Sequence, residues 1–229
     1  MKTRPKQVGF FCLNLGMFIL NQHPSIANQF LAELRDVSVQ KDRLRFRRNL
    51  ERLGEVMAYE ISREMDYHQT TIQTPLDTTT EELPAKQPII IPILRAAMPF
   101  FQGVLNYYDQ ADCGFVGAYR KEGQGEVEID FGYMAAPDID NKEVLLVDPM
   151  LATGKSFIKS IDNLLKYGKP SKIHIVAVIA SPEGVAYIKE NLTIPHKFWL
   201  CSLDEGLNDK YYIIPGLGDA GDLAYGSKL

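Results

Sequence analysis

Cysteine is scarce in this chain of 229 residues: there are three, Cys12, Cys113 and Cys201, far apart and never in a C-x-x-C pair. An odd, scattered set excludes a disulfide framework or a structural zinc site and suits a reducing cytoplasm. Histidine is equally sparse, four residues with no H-x-x-x-H or H-E-x-x-H spacing, which removes the common zinc-hydrolase signatures. Basic charge is in deficit, 25 Lys and Arg against 29 Asp and Glu, a formal net charge of −4. That balance argues against nucleic acid as the main partner, because neutralising a phosphate backbone needs a basic surface. No apolar run is long enough to span a membrane, and no repeat or low-complexity tract is visible.

What is present is core-forming material, 45% hydrophobic residues, enough for one good-sized domain. The apolar stretch VGFFCLNLGMFIL behind the basic head MKTRPK has the outline of a secretory leader. Asn14 interrupts it, and only a poor cleavage site follows. We therefore expect residues 1–16 to be an extension or a start-site artefact and residues 17–229 to form a single domain.

From Ala27 to Met65 apolar residues recur at helical spacing: Phe30, Leu31, Leu34 and Val37, then Leu50, Leu53, Val56, Met57 and Ile61. The basic run KDRLRFRR between them is read as a solvated or subunit-facing helix side, with Glu33, Asp36 and Glu51 nearby. TPLDTTTEELPAKQP reads as a polar connection. Buried-strand candidates follow at 88–94, 113–119, 143–149, 172–181 and 196–203, alternating with the helical stretches PFFQGVLNYY, SFIKSIDNLLKYG and PEGVAYIKENL. Strands that are apolar throughout and separated by helices predict βαβ units in a parallel sheet covered on both faces. His174 alternates with apolar neighbours and reads as a strand histidine. EGQGEVEIDFGYM has the glycine bends and alternation of a hairpin or flap.

In such a sheet ligands lie at the carboxyl ends of the strands. Three of these strands end in functional groups: Arg95, Arg120, and Asp148 followed by PMLATGKS. The closing Gly-Lys-Ser resembles a P-loop, but that pattern needs a glycine five positions before Gly154. Pro149 stands there, without an N–H. A phosphate site of another kind survives. The hydroxyls of Thr153 and Ser156 and the amides opening the next helix suit a phosphate dianion. Asp148 would repel phosphate, but it can accept from both hydroxyls of a ribose diol. Phosphate, ribose and two arginines for further negative charge describe 5-phosphoribosyl 1-pyrophosphate. Taken singly, a strand-end arginine can be a surface ion pair and a Thr-Gly turn a helix cap.

VLLVDPMLATGKS resembles the phosphoribosyl-pyrophosphate motif of type I phosphoribosyltransferases, and DPMLATG is similar to that of the uracil phosphoribosyltransferase family. The tail DEGLNDKYYIIPGLGDAGDLAYGSK resembles that family's carboxyl terminus almost throughout. PILRAAMPFFQGVL is similar to another of its stretches, and the N-terminal helices match more loosely. The resemblance runs from about Met17 to the end.

It implies a central parallel sheet flanked by helices, a hood from the N-terminal helices and C-terminal tail, and a β-hairpin flap. It further implies transfer of phosphoribose to uracil, giving UMP and pyrophosphate in pyrimidine salvage. By the same resemblance Arg95 and Arg120 bind the pyrophosphate. Asp148, Pro149, Met150, Leu151, Ala152, Thr153, Gly154, Lys155 and Ser156 surround ribose and 5-phosphate. Ile213, Gly218, Asp219 and Ala220 hold uracil, largely by backbone. Asp219 and Arg120 are the catalytic candidates, Asp219 also reaching the donor. Magnesium is expected on substrate and water, with no dedicated protein site, and the enzyme is expected to form homo-oligomers. Lys155 and Ala97 depart from the family's glycine-like residues, and the flap lacks its proline. The alternatives are a donor-sensing regulator of the same fold and a phosphoribosyltransferase for another base.

Overall fold

The computed structural model describes residues 16–121 and 128–227, with the backbone alone for 118–121 and 128–131. Most of the expected N-terminal extension, residues 1–15, lies outside the described residues. The chain opens on β1 (Met17–Ile19), then α1 (Ile26–Arg35), α2 (Arg43–Ser62) and the pair β2 (Tyr67–Gln73) and β3 (Thr78–Pro84). The first βαβ unit is β4 (Ile89–Leu94), α3 (Met98–Leu105) and β5 (Phe115–Lys121), to which β6 (Glu128–Ala135) is added. Next come β7 (Glu143–Val147), a two-residue β8 (Met150–Leu151), α4 (Lys155–Leu164), β9 (Lys172–Ala180), α5 (Pro182–Asn191) and β10 (His196–Leu203). The tail contains β11 (Gly206–Leu207), β12 (Ile213–Ile214) and α6 (Ala220–Tyr225).

The main sheet runs β1-β10-β9-β7-β4-β5-β6, with β8 added to β9. Every pairing in it is parallel except β5 with β6, the predicted hairpin flap. Residues 122–127 of that flap lie outside the described residues. Alternate strand residues face opposite sides. Leu145, Val147, Val176 and Val178 pack with α1, α2 and α3, whereas Leu146, Ile175 and Ala177 pack with Phe157 and Ile161 of α4 and Val185 and Ile188 of α5. This two-sided burial is why the strands read as unbroken apolar runs.

Two segments differ from expectation. TPLDTTTEELPAKQP is no plain connection: Thr78–Pro84 is a strand, paired antiparallel with Tyr67–Gln73. Nearly every residue of that hairpin is exposed, so no buried face imposes a period on its sequence. The apolar run at Met17 supplies β1, which pairs with Phe198–Leu200. His174 is a strand histidine as expected, buried in β9. The Trp199 indole N–H donates to its Nδ1 at 2.8 Å and Glu143 Oε2 lies 2.7 Å from its Nε2. The acceptor role of Nδ1 puts the proton on Nε2. Burial holds this imidazole below its usual pKa. It stands near the start of β9, far along the strand from the carboxyl ends. Among the described residues no helix is long and apolar enough to cross a membrane.

Candidate active site

Strands β4 and β7 are neighbours, in register from Ile89↔Val144 to Pro92↔Val147. From β4 the chain leaves through α3 on one face toward β5, and from β7 through α4 on the other face toward β9. Connections departing in opposite directions open a crevice between the two strand ends, the position where doubly wound sheets hold ligands. Arg95 follows β4 and Asp148 follows β7, so two predicted site residues flank this crevice.

The stretch after β7 is more structured than a loop. Asp148 N–H continues the ladder to Val176 O at 3.1 Å. The Pro149 carbonyl accepts from both Val178 and Ile179 at 3.1 and 3.0 Å. That bulge lets Met150 and Leu151 rejoin β9 as β8. Leu151 is core, and Ala152 is buried with it, so their side chains serve packing and only their backbone can serve a ligand. Asp148 Oδ1 accepts from Met150 N–H at 3.3 Å, which orients the carboxylate at the strand end.

The turn closes through Gly154, whose φ of +76° is the left-handed conformation, before α4 begins at Lys155. Ile158 N–H bonds back to Gly154 O at 3.1 Å, so the amides before it belong to the orphaned first turn. Thr153 and Ser156 are half-buried beside them, while Lys155 is exposed. The opening of α5 holds this turn from behind. Ser181 Oγ donates to Ala152 O at 2.7 Å and accepts from Gly184 N–H at 2.9 Å.

Arg95 is drawn toward the tail. Its Nη2 donates to Asp222 Oδ1 at 3.0 Å and to Gly226 O at 2.7 Å. Its Nε is buried and finds no hydrogen-bond partner among the described residues. The pair is partly exposed on both sides, and such pairs contribute only ~0–1 kcal/mol. Arg120 lies inside β5, one residue before its end; its side chain lies outside what is described.

The tail arches from the end of β10 back to β4. Ile213 is buried, in the strand pair with β11. Gly218 is exposed with φ +89°. Asp219 caps α6, its Oδ1 accepting from Asp222 N–H at 2.9 Å, and Ala220 is buried. A methyl placed on Gly221 would stand 3.2 Å from Asp219 Oδ1 and 3.7 Å from Arg95 Nε. Arg95 and Asp219 therefore flank the same glycine, and both bond to Asp222. Ala152 of the turn after β7 and Ile213, Leu217 and Ala220 of the tail belong to the same apolar cluster.

Sequence reasoning missed the groups that hold these segments. Asp204 stands just past β10 and binds Arg35, the last residue of α1, through two contacts of 2.6 and 2.7 Å. An acidic residue just past a strand end, as at Asp148, was a signal for Asp204; nothing in the sequence marked Arg35. The basic run of α2 lies on a solvated helix side, as expected: Arg45 pairs with Glu33 and Arg48 with Glu51 at exposed positions, and Arg47 donates to Ala224 O. Among the described residues no cluster of three or more His, Cys, Asp or Glu side chains could hold a metal.

A sheet wound both ways from β4 and β7, with a turn into α4 at one strand end and a separate tail arching to the other, is the architecture of a type I phosphoribosyltransferase. The family model for uracil phosphoribosyltransferase matches residues 20–227, and the chain belongs to that family. A uracil phosphoribosyltransferase of Porphyromonas gingivalis is 46% identical over 211 residues, covering 92% of this chain and 98% of the relative. One from Pyrococcus furiosus is 38% identical over 217 residues, covering 93% and 91%. The solved structure of the AQ2163 protein from Aquifex aeolicus superposes with a TM-score of 0.82 at 30% identity, over 93% of this chain and 99% of that one.

Proposed function

We propose that this enzyme joins uracil to the ribose of 5-phosphoribosyl 1-pyrophosphate. The C1′–oxygen bond to pyrophosphate breaks, the N1–C1′ bond forms, and UMP and pyrophosphate leave with the N1 proton. The observation that supports this reading is that the tail is tied to Arg95 just past β4, beside the turn that follows the neighbouring strand β7. The 5-phosphate sits on the first-turn amides of α4 with Thr153 and Ser156, where the helix dipole favours an anion. Asp148 accepts from the ribose hydroxyls. Arg95 turns to pyrophosphate, exchanging a weak exposed pair for a doubly charged partner, with Arg120 beside it.

Uracil lies against the backbone of Ile213, Gly218, Asp219 and Ala220. Asp219 has one carboxylate oxygen committed to capping α6, so its part near the N1 proton is played from a fixed position. Glycosyl transfer of this kind passes through an oxocarbenium-like state, so the residues act by orientation and charge placement. Magnesium, carried by the donor, would supply charge neutralisation of the leaving pyrophosphate. A cation carried by substrate and water would need no protein cage.

We place the enzyme in the cytoplasm, in keeping with its free Cys113 and Cys201, and expect it to self-associate through the exposed β2–β3 hairpin. The test is UMP formation from labelled uracil beside hypoxanthine and orotate. Transfer to uracil alone is expected. Preference for another base, or donor binding without turnover, would overturn the assignment.

A further inference from the structure

The base-side tail is held by groups that cannot themselves touch a base. Gly216 has its N–H bonded to Asp204 Oδ2 at 3.0 Å and its carbonyl bonded to Arg35 Nη1 at 2.9 Å. Both sides of one residue are thereby tied to a single ion pair. The turn at that residue is tight: φ is +65°, and a methyl there would fall 2.1 Å from Ile213 O. Gln40 adds a third tie, its amide donating to Leu217 O at 3.3 Å while also meeting Leu34 O and Arg35 O at 2.9 and 3.2 Å.

The pair is built to be rigid. The Asp204 side chain is 2% exposed, and its oxygens receive both Arg35 nitrogens, Ser202 Oγ at 2.9 Å and the Gly216 amide. Ser202 Oγ in turn accepts from Asn21 at 3.1 Å. Burial works against ionisation of Asp204. The hydrogen bonds from Arg35, Ser202 and Gly216, with the Arg35 charge, nevertheless keep its carboxyl below the usual range. Burying two charges costs nearly as much as their attraction returns, so such a pair adds little net stability. What it does supply is geometry, in a planar two-point contact that lysine cannot reproduce.

We propose that Arg35 and Asp204 are positioning residues for the nucleobase. They set the backbone of Gly216, and through it the groups of Gly218–Ala220 two residues on. Backbone recognition has no side-chain freedom with which to correct a misplaced donor, and displacements near 1 Å can cost on the order of 100-fold in rate. The pair acts on the tail, whereas the Asp148–Ser156 turn is braced by α5 through Ser181. The inference rests on the assignment of the tail to uracil.

The experiment measures KM for each substrate separately, with melting temperature, for Asp204→Asn and Arg35→Lys. Asp204→Asn keeps the shape but presents an amide N–H₂ to a donor. Arg35→Lys keeps the charge and loses the two-point contact, and it carries the test if the first variant does not fold. The expected result is a KM for uracil raised at least about tenfold, with KM for phosphoribosyl pyrophosphate unchanged. Equal rises in both constants, or none, overturn the proposal. Gly218→Ala, which strains the tail directly, separates the two levels. If it raises KM for uracil while the Asp204 and Arg35 variants do not, positioning alone fails. If it too leaves uracil untouched, the assignment of the tail fails with it.

Discussion

At the scale of single residues, Asp148 carries a sharp expectation. Its carboxylate stands beyond the end of β7 with one oxygen accepting from Met150 N–H. Asparagine retains a carbonyl for that amide, so Asp148→Asn keeps the bulge at Pro149 and the melting temperature. What goes is the charge that draws the ribose hydroxyls. Hydrogen bonds to charged groups contribute ~1.5–3 kcal/mol, so KM for phosphoribosyl pyrophosphate should rise by roughly one to two orders of magnitude. An unchanged KM for the donor would remove Asp148 from the ribose site. Lys155 is the contrasting case. It is the exposed first residue of α4, and the amides of the turn, Thr153 and Ser156, proposed to hold the 5-phosphate, do not depend on its side chain. Lys155→Gly should leave an active enzyme, losing at most one charge-assisted contact, ~1.5–3 kcal/mol if it is made. Uracil-dependent pyrophosphate release measures this; complete loss of that reaction would give the lysine an essential role.

Among elements, the phosphate turn depends on α5 as much as on α4. Ser181 is fully buried and bridges Ala152 O to Gly184 N–H. Ser181→Ala removes a helix cap, about 1 kcal/mol, and strands a buried carbonyl, roughly 1–3 kcal/mol. We expect a melting temperature several degrees lower, together with a raised KM for the donor and an unchanged KM for uracil. Calorimetry and steady-state rates decide it; a stability loss with both KM values intact would mean that the turn keeps its shape unaided. This level also shows why some of the structure was legible in the sequence. β4, β7, β9 and β10 are buried on both faces, so apolar runs mark them, and the phosphate turn lies where one such run stops at Asp148-Pro149. The two-residue β8 escapes notice because only the bulge at Pro149, a matter of hydrogen bonds to Val178 and Ile179, makes it a strand. Arg35 escapes for another reason. Its partner is 169 residues away, and no local pattern encodes a contact of that span.

For the whole molecule, the β2–β3 hairpin presents the question. Leu76 at its turn is 97% exposed, and Tyr67 and Leu83 are also exposed. A lone two-stranded hairpin is marginal in water without a covered face, and its polar sequence gave no hint of strand because no buried face imposes a period on it. Its edge carries Asp77, Glu81 and Glu82, opposite in sign to the exposed Arg43, Arg45 and Arg48 of α2. A second copy offering its α2 face would meet the hairpin with complementary charge and cover its leucines. Leu76→Glu combined with Leu83→Glu should therefore lower the mass found by sedimentation equilibrium toward that of a single chain. The substitutions touch neither the β4–β7 crevice nor the tail, so uracil transfer at protein concentrations that keep the wild type assembled should persist if each chain carries its own site. Loss of transfer in parallel with loss of mass would instead mean that assembly holds part of the site in place. An unchanged mass would dismiss the hairpin as the contact and direct the search to the exposed Ile26 and Val37 around α1.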